Sequence, residues 1–309
     1  MYLHWSKKTD DPKSSLVTMV FGVGLIGNAI IAAMRNGRSE IEFNSKEVHF
    51  PWSDIAQQTQ ILESLEEDMT DLFSAAANVE VVWSAGKAGF ASNQAEVDAE
   101  LVNYRTVLHW LDRLQKNRGL NIRVNLISTL GGIFEQELLV SSESVPKPLR
   151  AYGHLKLLQE NELIHKDNLD RRIYRVSSAY GYVSSNKRMG LIPTLIANGI
   201  SEKHTLLSGS LDTLRDYIWV EDLAAYIVTN LYCDECFDDV LSVASFRSHS
   251  IQQLIEKIEL LLNQKLLLRH DRRPTNARSI SISASLRPPG LVVSDINQTL
   301  ADIVKTCEF

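Results

Sequence analysis

The chain alternates short apolar runs with longer stretches in which apolar residues recur every three or four positions. The apolar runs predict buried strands and the periodic stretches predict amphipathic helices. The predicted strands lie at 16–21, 47–52, 79–84, 121–127, 172–177 and 240–244. Long helices are predicted at about 54–76, at 92–117 and at 149–165. Regular alternation of this kind is typical of an α/β fold with a doubly wound parallel sheet.

The first apolar run leads directly into three glycines, Gly22, Gly24 and Gly27, in the spacing G-x-G-x-x-G. At a strand-to-helix turn, the first glycine makes the tight turn and the second lets the backbone approach a pyrophosphate. The third lets the helix pack closely on the strand, and the start of the helix offers free N–H groups and a positive dipole. The pattern predicts a dinucleotide-binding Rossmann domain, with a glycine-rich turn that holds no ligand as the alternative.

Composition and charge limit the kinds of partner and the cellular location that we expect for the chain. The 309 residues carry a net charge of −6 and give a pI near 5.8, so a nucleic-acid partner is not expected. No apolar run approaches the roughly 18–20 residues of a membrane span, and a signal peptide is not expected. Three cysteines are few enough to favour a reducing, cytoplasmic location. Residues 1–15 are expected to be a polar leader that need not be ordered.

Tyr152 and Lys156 are the first candidates for chemistry, because residues four apart share one face of a helix. A phenol has a pKa of about 10, and an adjacent ammonium favours its ionised form. Such a tyrosine can exchange a proton with a substrate hydroxyl near neutral pH. The alternative is an ordinary tyrosine and lysine on a solvated helix face.

A C-x-x-C at Cys233 and Cys236 has too few neighbouring ligands for zinc, and no metal is expected.

Several further motifs occur in order along residues 16–260. They are GVGLIG at 22–27, VVWSAG at 81–86, Asn103, LIST at 126–129, PLRAYGHLKLLQE at 148–160, RVSSAYG at 175–181 and RDYIWVEDLA at 215–224. On these residues the chain resembles the extended short-chain dehydrogenases/reductases, and within them the NAD-dependent epimerase/dehydratase family that acts on nucleotide sugars. The block at 215–224 is the most distinctive of the matches.

The resemblance implies catalytic roles. Tyr152 would be the acid/base, and Lys156 would lower its pKa and bind the nicotinamide ribose. Ser128 or Thr129 would hydrogen-bond the substrate oxygen, with Thr129 slightly favoured.

The resemblance also implies a cofactor site for NAD, with NADP not excluded. The residues expected to form it are Gly22, Gly24, Leu25, Ile26, Gly27, Asp54, Ala85, Gly86, Lys156 and Val176. Asp54 is the nearest acid to the expected adenosine ribose, which weakly favours NAD. A role as a helix N-cap is at least as good an explanation of Asp54.

A nucleotide-sugar substrate is expected to contact Lys87, Ser178, Arg215 and Arg273. Arg215 resembles the arginine with which relatives grip the diphosphate, a task that suits a bidentate guanidinium. A surface ion pair with Asp212 or Glu221 is the alternative for Arg215.

Three departures from the family pattern affect the expected function. The first glycine is displaced from the usual G-x-x-G-x-x-G spacing. Only helix is predicted between the second strand and residue 79, where relatives have an additional strand. Leu130 and Gly131 follow Thr129 in place of the acid pair of a dehydratase, so dehydration is disfavoured.

We therefore expect a Rossmann domain at 16–177, to which 216–245 return, and a smaller substrate-binding domain from 178–215 and 246–309. The resemblance implies a homodimer through the helices at 92–117 and 149–165. The expected activity is that of an NAD(P)-dependent nucleotide-sugar epimerase. An NADPH-dependent 4-keto-sugar nucleotide reductase and a non-catalytic dinucleotide sensor or interaction protein are the alternatives.

Overall fold

The computed structural model describes residues 1–6, 16–36, 43–75, 78–182, 189–231, 233, 240–271 and 278–307. The strands are β1 (Tyr2–Ser6), β2 (Leu16–Phe21), β3 (Phe43–Glu47), β4 (Asn78–Trp83), β5 (Asn121–Thr129), β6 (Leu139–Val140), β7 (Asp170–Val176), β8 (Ser178–Tyr180), β9 (Thr205–Ser208), β10 (Leu214–Trp219), β11 (Val240–Val243), β12 (Ser248–Ser250), β13 (Leu268–Asp271) and β14 (Ser281–Ile282). The helices are α1 (Leu25–Asn36), α2 (Ile55–Asp68), α3 (Thr70–Ala75), α4 (Gln94–Arg118), α5 (Leu130–Ile133), α6 (Ala151–Ile164), α7 (Leu191–Ile200), α8 (Val220–Leu231), α9 (Ile251–Leu262) and α10 (Ile296–Cys307).

A seven-stranded sheet in the order β11-β7-β5-β4-β2-β1-β3 forms the centre of the molecule. From β11 to β2 every neighbouring pair is parallel. The parallel strands have almost wholly buried side chains, as expected for a sheet covered by helices on both faces. The predicted α/β class with a Rossmann-type sheet is confirmed.

Residues 2–6, expected to belong to a polar leader that need not be ordered, are ordered in the structure. These residues form β1, which pairs antiparallel with β2 on one side and with β3 on the other. Tyr2 and Leu3 are almost completely buried, and this burial offsets the entropy lost when the segment is ordered. Residues 7–15 lie outside the described residues.

The second strand also differs from its prediction. The corresponding strand, β3, spans Phe43–Glu47 rather than 47–52. It pairs with β1, which lies between β3 and β2 in the sheet. Phe50 and Trp52 instead pack their rings against each other, with centroids 4.7 Å apart. Trp52 also packs edge-on against Trp83, so the aromatic residues of this segment serve the core rather than the sheet.

The helices at both faces of the sheet follow the predicted periodicity, with small shifts of their ends. The predicted helix at 54–76 is divided into α2 and α3 at Met69. On one face of the sheet α2, α4 and α6 cover a large apolar cluster. On the other face α1 and α8 cover a second cluster. Both clusters hold the helices against the sheet.

A third apolar cluster gathers α7, α9 and α10. Beside it, β8, β10 and β12 form a separate three-stranded sheet, in which β10 runs parallel to β8. Most of these elements fall in the ranges predicted for the smaller domain, whereas β10 crosses the predicted boundary after residue 215. The exact division of the chain into two domains stays a prediction.

Glu80 is a buried carboxylate in the middle of the large sheet. It is 2% exposed, lies 3.0 Å from Nη1 of Arg123 and accepts a hydrogen bond from Asn125 at 2.7 Å. Burial raises the pKa of Glu80 to about 7, although Arg123 and Asn125 act in the opposite direction.

This raised pKa predicts a pH-dependent stability. Between pH 4.5 and about 7 the folded protein holds the Glu80 proton that the unfolded chain has released. The free energy of unfolding should therefore fall as the pH rises through this range, by on the order of 3 kcal/mol. Denaturant titrations at several pH values would measure it. Glu80→Gln should flatten the slope, whereas Glu67→Gln at an exposed position should not; equal slopes in both variants would contradict the assignment to Glu80.

Candidate active site

The glycine turn after β2 has the close contacts that its spacing predicts. Gly22 has φ +93°, and a Cβ there would lie 2.3 Å from the backbone nitrogen of Ala85. A Cβ on Gly27 would lie 1.9 Å from the carbonyl oxygen of Gly22. Gly24, in contrast, faces open space, with nothing within 4 Å of its Cβ position. The first and third glycines thus close the turn, and the second leaves room for a ligand at the start of α1.

Ser84, which the sequence analysis did not single out, holds this turn to β4. Its hydroxyl lies 2.7 Å from the carbonyl oxygen of Gly22 and 3.1 Å from that of Phe21, and both carbonyls can accept from it. The residue directly follows β4, at the same edge of the sheet where β2 ends. The carbonyl oxygen of Phe21 also accepts the backbone N–H of Ser84 at 2.9 Å, so the hydroxyl chiefly serves the carbonyl oxygen of Gly22.

A cavity of about 250 Å³ opens at this edge of the sheet. It lies where β4, β5 and β7 end, which is where ligands bind in open α/β sheets. Its lining residues are Ile26, Ser84, Ala85, Gly86, Ala88, Glu100, Ile127, Ser128, Thr129, Tyr152, Lys156, Val176, Ser177 and Ala179. All four predicted catalytic residues belong to this lining.

Lys156 lies at the inner wall of the cavity. It is 6% exposed, donates a hydrogen bond to Oε1 of Gln159 at 3.0 Å and lies 3.6 Å from Oε1 of Glu100. Burial lowers the pKa of Lys156, and the nearby Glu100 partly counteracts that effect. The lysine is therefore a buried cation with a carboxylate beside it.

Tyr152, one turn earlier on α6, is half-buried, and its ring meets Phe90 edge-on with centroids 5.7 Å apart. Its ring also packs against Gly132, where a Cβ would lie 3.1 Å from the tyrosine ring. These two contacts confine the tyrosine ring at the mouth of the cavity.

Ser128 and Thr129 differ in how their hydroxyls are used. The hydroxyl of Ser128 donates to the buried carboxylate of Glu160, which Arg175 also binds at 2.7 Å. The hydroxyl of Thr129 accepts the N–H of Gly132 at 3.2 Å and so caps α5. An accepting hydroxyl keeps its own proton for another partner. The arrangement therefore favours Thr129 over Ser128 as a donor to a substrate oxygen.

The backbones of α5 and α6 approach each other at two glycines. A Cβ on Gly153 would lie 2.1 Å from the carbonyl oxygen of Gly132. Gly153 directly follows Tyr152, and the N–H of Gly132 is bound by the hydroxyl of Thr129. The contact between the two glycines therefore sets the separation of the tyrosine and the threonine. The glycine after the tyrosine is the sequence signal that could have identified it.

The predicted cofactor residues fall into two groups. Ile26, Ala85, Gly86 and Val176 line the cavity, and Leu25 is the first residue of α1 at the glycine turn. Asp54 instead accepts the N–H of Gln57 at 3.0 Å and caps α2. The structure gives Asp54 the capping role that the sequence analysis held open.

The predicted substrate residues lie further out. Lys87 is exposed in the loop that follows β4, and Ser178 is exposed at the start of β8. Arg215 is partly buried on β10, and its guanidinium donates to the carbonyl oxygens of Leu214, at 3.1 Å, and of Arg278. Burial lowers the pKa of Arg215, and the nearby Arg150 adds to this effect. Arg273 lies outside the described residues.

Glu135 and Arg150 form a pair near Tyr152 that the sequence analysis missed. Glu135 is 8% exposed and accepts the N–H groups of Leu149 and Arg150, each at 3.1 Å, at the start of α6. The guanidinium of Arg150 lies 3.3 Å from Glu135 and 5.1 Å from the centre of the Phe90 ring. Glu135 thus holds the two residues that lead into the helix that carries Tyr152.

Neither a membrane-spanning helix nor a cluster of metal ligands occurs among the described residues. No described helix is long and apolar enough to cross a membrane. No group of three or more His, Cys, Asp or Glu side chains in the described ranges is placed to hold a metal ion. Cys233 is partly buried with a free thiol, and Cys236 lies outside the described residues.

Comparison with known proteins identifies the family. The model of the NAD dependent epimerase/dehydratase family matches residues 18–234. The chain belongs to this family. Its members are NAD(P)-dependent enzymes of the extended short-chain dehydrogenase/reductase type, as the motifs predicted.

A curated relative is the dTDP-4-dehydro-6-deoxyglucose reductase of Escherichia coli, which is 32% identical over 146 residues. The match covers 45% of this chain and 46% of the reductase, so the chain spans less than half the length of this relative.

Solved structures of low sequence identity share the fold. The UDP-glucose 4-epimerase of Thermotoga maritima with UDP-glucose gives a TM-score of 0.73 at 16% identity, over 94% of this chain and 97% of its own. RMD from Pseudomonas aeruginosa with NADPH gives 0.72 at 19% identity, over 94% and 98%. The UDP-glucuronic acid 4-epimerase of Bacillus cereus, with UDP-glucuronic acid and NAD, gives 0.69 at 19% identity, over 94% and 99%.

The contact between α5 and α6 gives a prediction about the site. Gly153→Ala should force the two backbones apart, cost roughly 1–3 kcal/mol of stability and displace Tyr152 from Thr129, with loss of turnover. Gly131→Ala is the matched control, because its Cβ would lie 3.7 Å from Phe90 in ordinary contact. Thermal unfolding and steady-state turnover of both variants would measure the effects. Wild-type behaviour of Gly153→Ala would contradict the tight contact.

Proposed function

We propose that this protein is an NAD(P)-dependent nucleotide-sugar epimerase that works by transient oxidation at a sugar carbon. The observation that carries the proposal is the convergence of Thr129, Tyr152 and Lys156 on one cavity beside the glycine turn. Residues of three kinds that such a reaction needs meet there: a hydroxyl donor, a phenolic acid/base and a cation.

The described residues fit a dinucleotide. Gly24 leaves open space at the start of α1, where free N–H groups favour a pyrophosphate. Ala85, Gly86 and Val176 line the way from that turn to Lys156. When bound, the nicotinamide would accept hydride from the sugar carbon and return it.

The protein's own part is to move a proton and hold charge. Tyr152 would take the proton of the sugar hydroxyl as that carbon is oxidised and give it back on reduction. Lys156 would stabilise the phenolate, and Thr129 would donate a hydrogen bond to the reacting oxygen. Confinement of the Tyr152 ring by Phe90 and Gly132 keeps the phenol at the cavity while the sugar turns.

Arg215 is proposed to bind the diphosphate of the substrate, as its resemblance to the family's arginine implies. Its guanidinium is held by the carbonyl of Arg278, and Arg150 adds a second positive charge nearby. Two neighbouring guanidinium groups favour an anionic group of the ligand, even though Arg150 also pairs with Glu135 and neither arginine belongs to the cavity lining. Lys87 and Ser178 stay proposed substrate contacts at the rim.

The second candidate is an NADPH-dependent 4-keto-sugar nucleotide reductase. The relative from Escherichia coli, a reductase of such a sugar, favours it. The two activities use the same proton and hydride positions and differ in whether the reduced sugar leaves after one transfer. Dehydration stays disfavoured, because Leu130 is fully buried and Gly131 follows it where an acid pair would stand.

A homodimer through α4 and α6 is proposed on the same resemblance. The two helices are joined by the Tyr104 hydroxyl, which donates to the carbonyl oxygen of Gln159 at 3.1 Å. Their outer surface exposes Val102 and Leu158, each at 44%. The cytoplasmic location stays a prediction from the composition.

Substrate assays would distinguish the two candidates. The purified protein would be incubated with UDP-, GDP- and dTDP-sugars and their 4-keto forms, with NAD or NADPH. An epimerase should interconvert two sugars, seen by NMR, with no net change in nicotinamide absorbance. A reductase should consume one NADPH per keto sugar. Cofactor binding by calorimetry without turnover of any sugar would contradict both and favour a dinucleotide sensor.

Tyr152→Phe tests the acid/base directly. Loss of the phenolic hydroxyl should lower turnover by roughly 10²–10⁴-fold, because proton transfer then depends on water. Affinity for NAD, measured by calorimetry, should stay within about twofold of wild type, since the ring and its contacts remain. Tyr182→Phe, at an exposed tyrosine outside the cavity lining, is the matched control. Unchanged turnover of Tyr152→Phe would refute the assignment.

A further inference from the structure

Glu100 on α4 is a buried carboxylate at the cavity wall, and the motif analysis gave it no role. It is 7% exposed, and Oε2 accepts the N–H of Ala88 at 3.0 Å. Oε1 lies 3.6 Å from Nζ of Lys156 and has no hydrogen-bond partner among the described residues. A buried carboxylate oxygen is costly unless a positive charge compensates it. Lys156 supplies that charge.

The loop after β4 is shaped to admit this carboxylate. A Cβ on Gly86 would lie 2.5 Å from Oε1 of Glu100 and 2.8 Å from its carboxyl carbon. Gly86 also has φ +149°, which L residues with a side chain rarely adopt. The loop and the carboxylate therefore fit each other only because residue 86 is a glycine.

The other groups that face Lys156 do not take the place of Glu100. On α6, Gln159 is neutral and binds the ammonium at 3.0 Å. Glu160, also on α6, is engaged by Arg175 of β7 at 2.7 Å and by Ser128 of β5. Its charge is thus already paired.

Two tyrosines complete the surroundings of Lys156. Tyr104 of α4 is fully buried, and burial raises its pKa, so it stays neutral near pH 7. Tyr152 lies one turn away on α6 and is the proposed acid/base. Within the described part of the chain, Glu100 is the carboxylate that forms an ion pair with Lys156.

We propose that Glu100 is a positioning residue that acts through Lys156: it is the counter-ion that keeps the buried ammonium charged and fixed at the cavity wall. This proposal rests on the proposed roles of Tyr152 and Lys156. Of the three ammonium protons, one is donated to Gln159, while Glu100 lies 3.6 Å away as an ion-pair partner without a hydrogen bond, so protons remain for a group in the cavity. A neutral amine would give Tyr152 no electrostatic assistance.

Glu100→Gln tests the counter-ion role with little change of shape. Without the carboxylate, the effect of burial on Lys156 is opposed only by the charge of Glu160, and the ammonium should lose its proton about 1–3 pH units lower than in the wild type. NMR titration of protein labelled with 13C in its lysine side chains would measure this shift. The Lys156 signal would be assigned by its absence from Lys156→Met.

Two further variants separate charge from shape. Glu100→Asp keeps a carboxylate and should restore part of the Lys156 titration toward the wild-type pH. Asp98→Asn removes an exposed charge from the same helix and should leave the titration unchanged. Thermal unfolding would confirm that each variant is folded. An unshifted Lys156 signal in folded Glu100→Gln would overturn the proposal.

A second readout concerns catalysis. The ratio of turnover in Glu100→Gln to that in the wild type should fall as the pH rises, because the variant loses the charge of Lys156 first. A ratio that is reduced but constant with pH would indicate a merely structural role and would overturn the positioning role. A shifted Lys156 signal with an unreduced ratio would support the counter-ion and refute the proposed use of Lys156 by Tyr152.

Discussion

Close backbone contacts at the carboxyl edge of the sheet are the constraint on which the rest of the site depends. Gly22 lies against Ala85, Gly27 lies against Gly22, and the backbones of α5 and α6 meet at two further glycines. None of these contacts leaves room for a Cβ. Because helices and strands approach to backbone distance there, the hydroxyl, phenol and ammonium of the cavity come from different elements and still lie together.

Buried charge is organised in pairs around this edge. Lys156 faces Glu100, and Arg175 faces Glu160, so each of these two cations has its own carboxylate. Breaking a buried pair leaves an uncompensated charge and is much more costly than losing a surface pair. The pairs also link α4, α6 and β7, which makes the position of the lysine dependent on three elements rather than on its own helix alone.

The sequence predicted the parallel sheet, the glycine turn and the tyrosine–lysine helix because each has a local pattern. The register of β1 could not be read in this way, since a five-residue segment next to polar residues acquires its role only from the strands on either side. Glu100 was also missed, although it stands three residues after Val97 and four before Tyr104, on the buried stripe of α4. A carboxylate in such a stripe is a signal for a buried ion pair.

Insertion of β1 has a consequence for how the sheet is held together. Neighbouring strands are about 4.8 Å apart, so β2 and β3 are separated by about twice that distance and exchange no backbone hydrogen bonds across the gap. The link between them is β1, whose two edges are both in use. β1 therefore attaches β3 to the nucleotide-binding half of the sheet. Loss of those few residues would release β3 and uncover the aromatic residues that follow it.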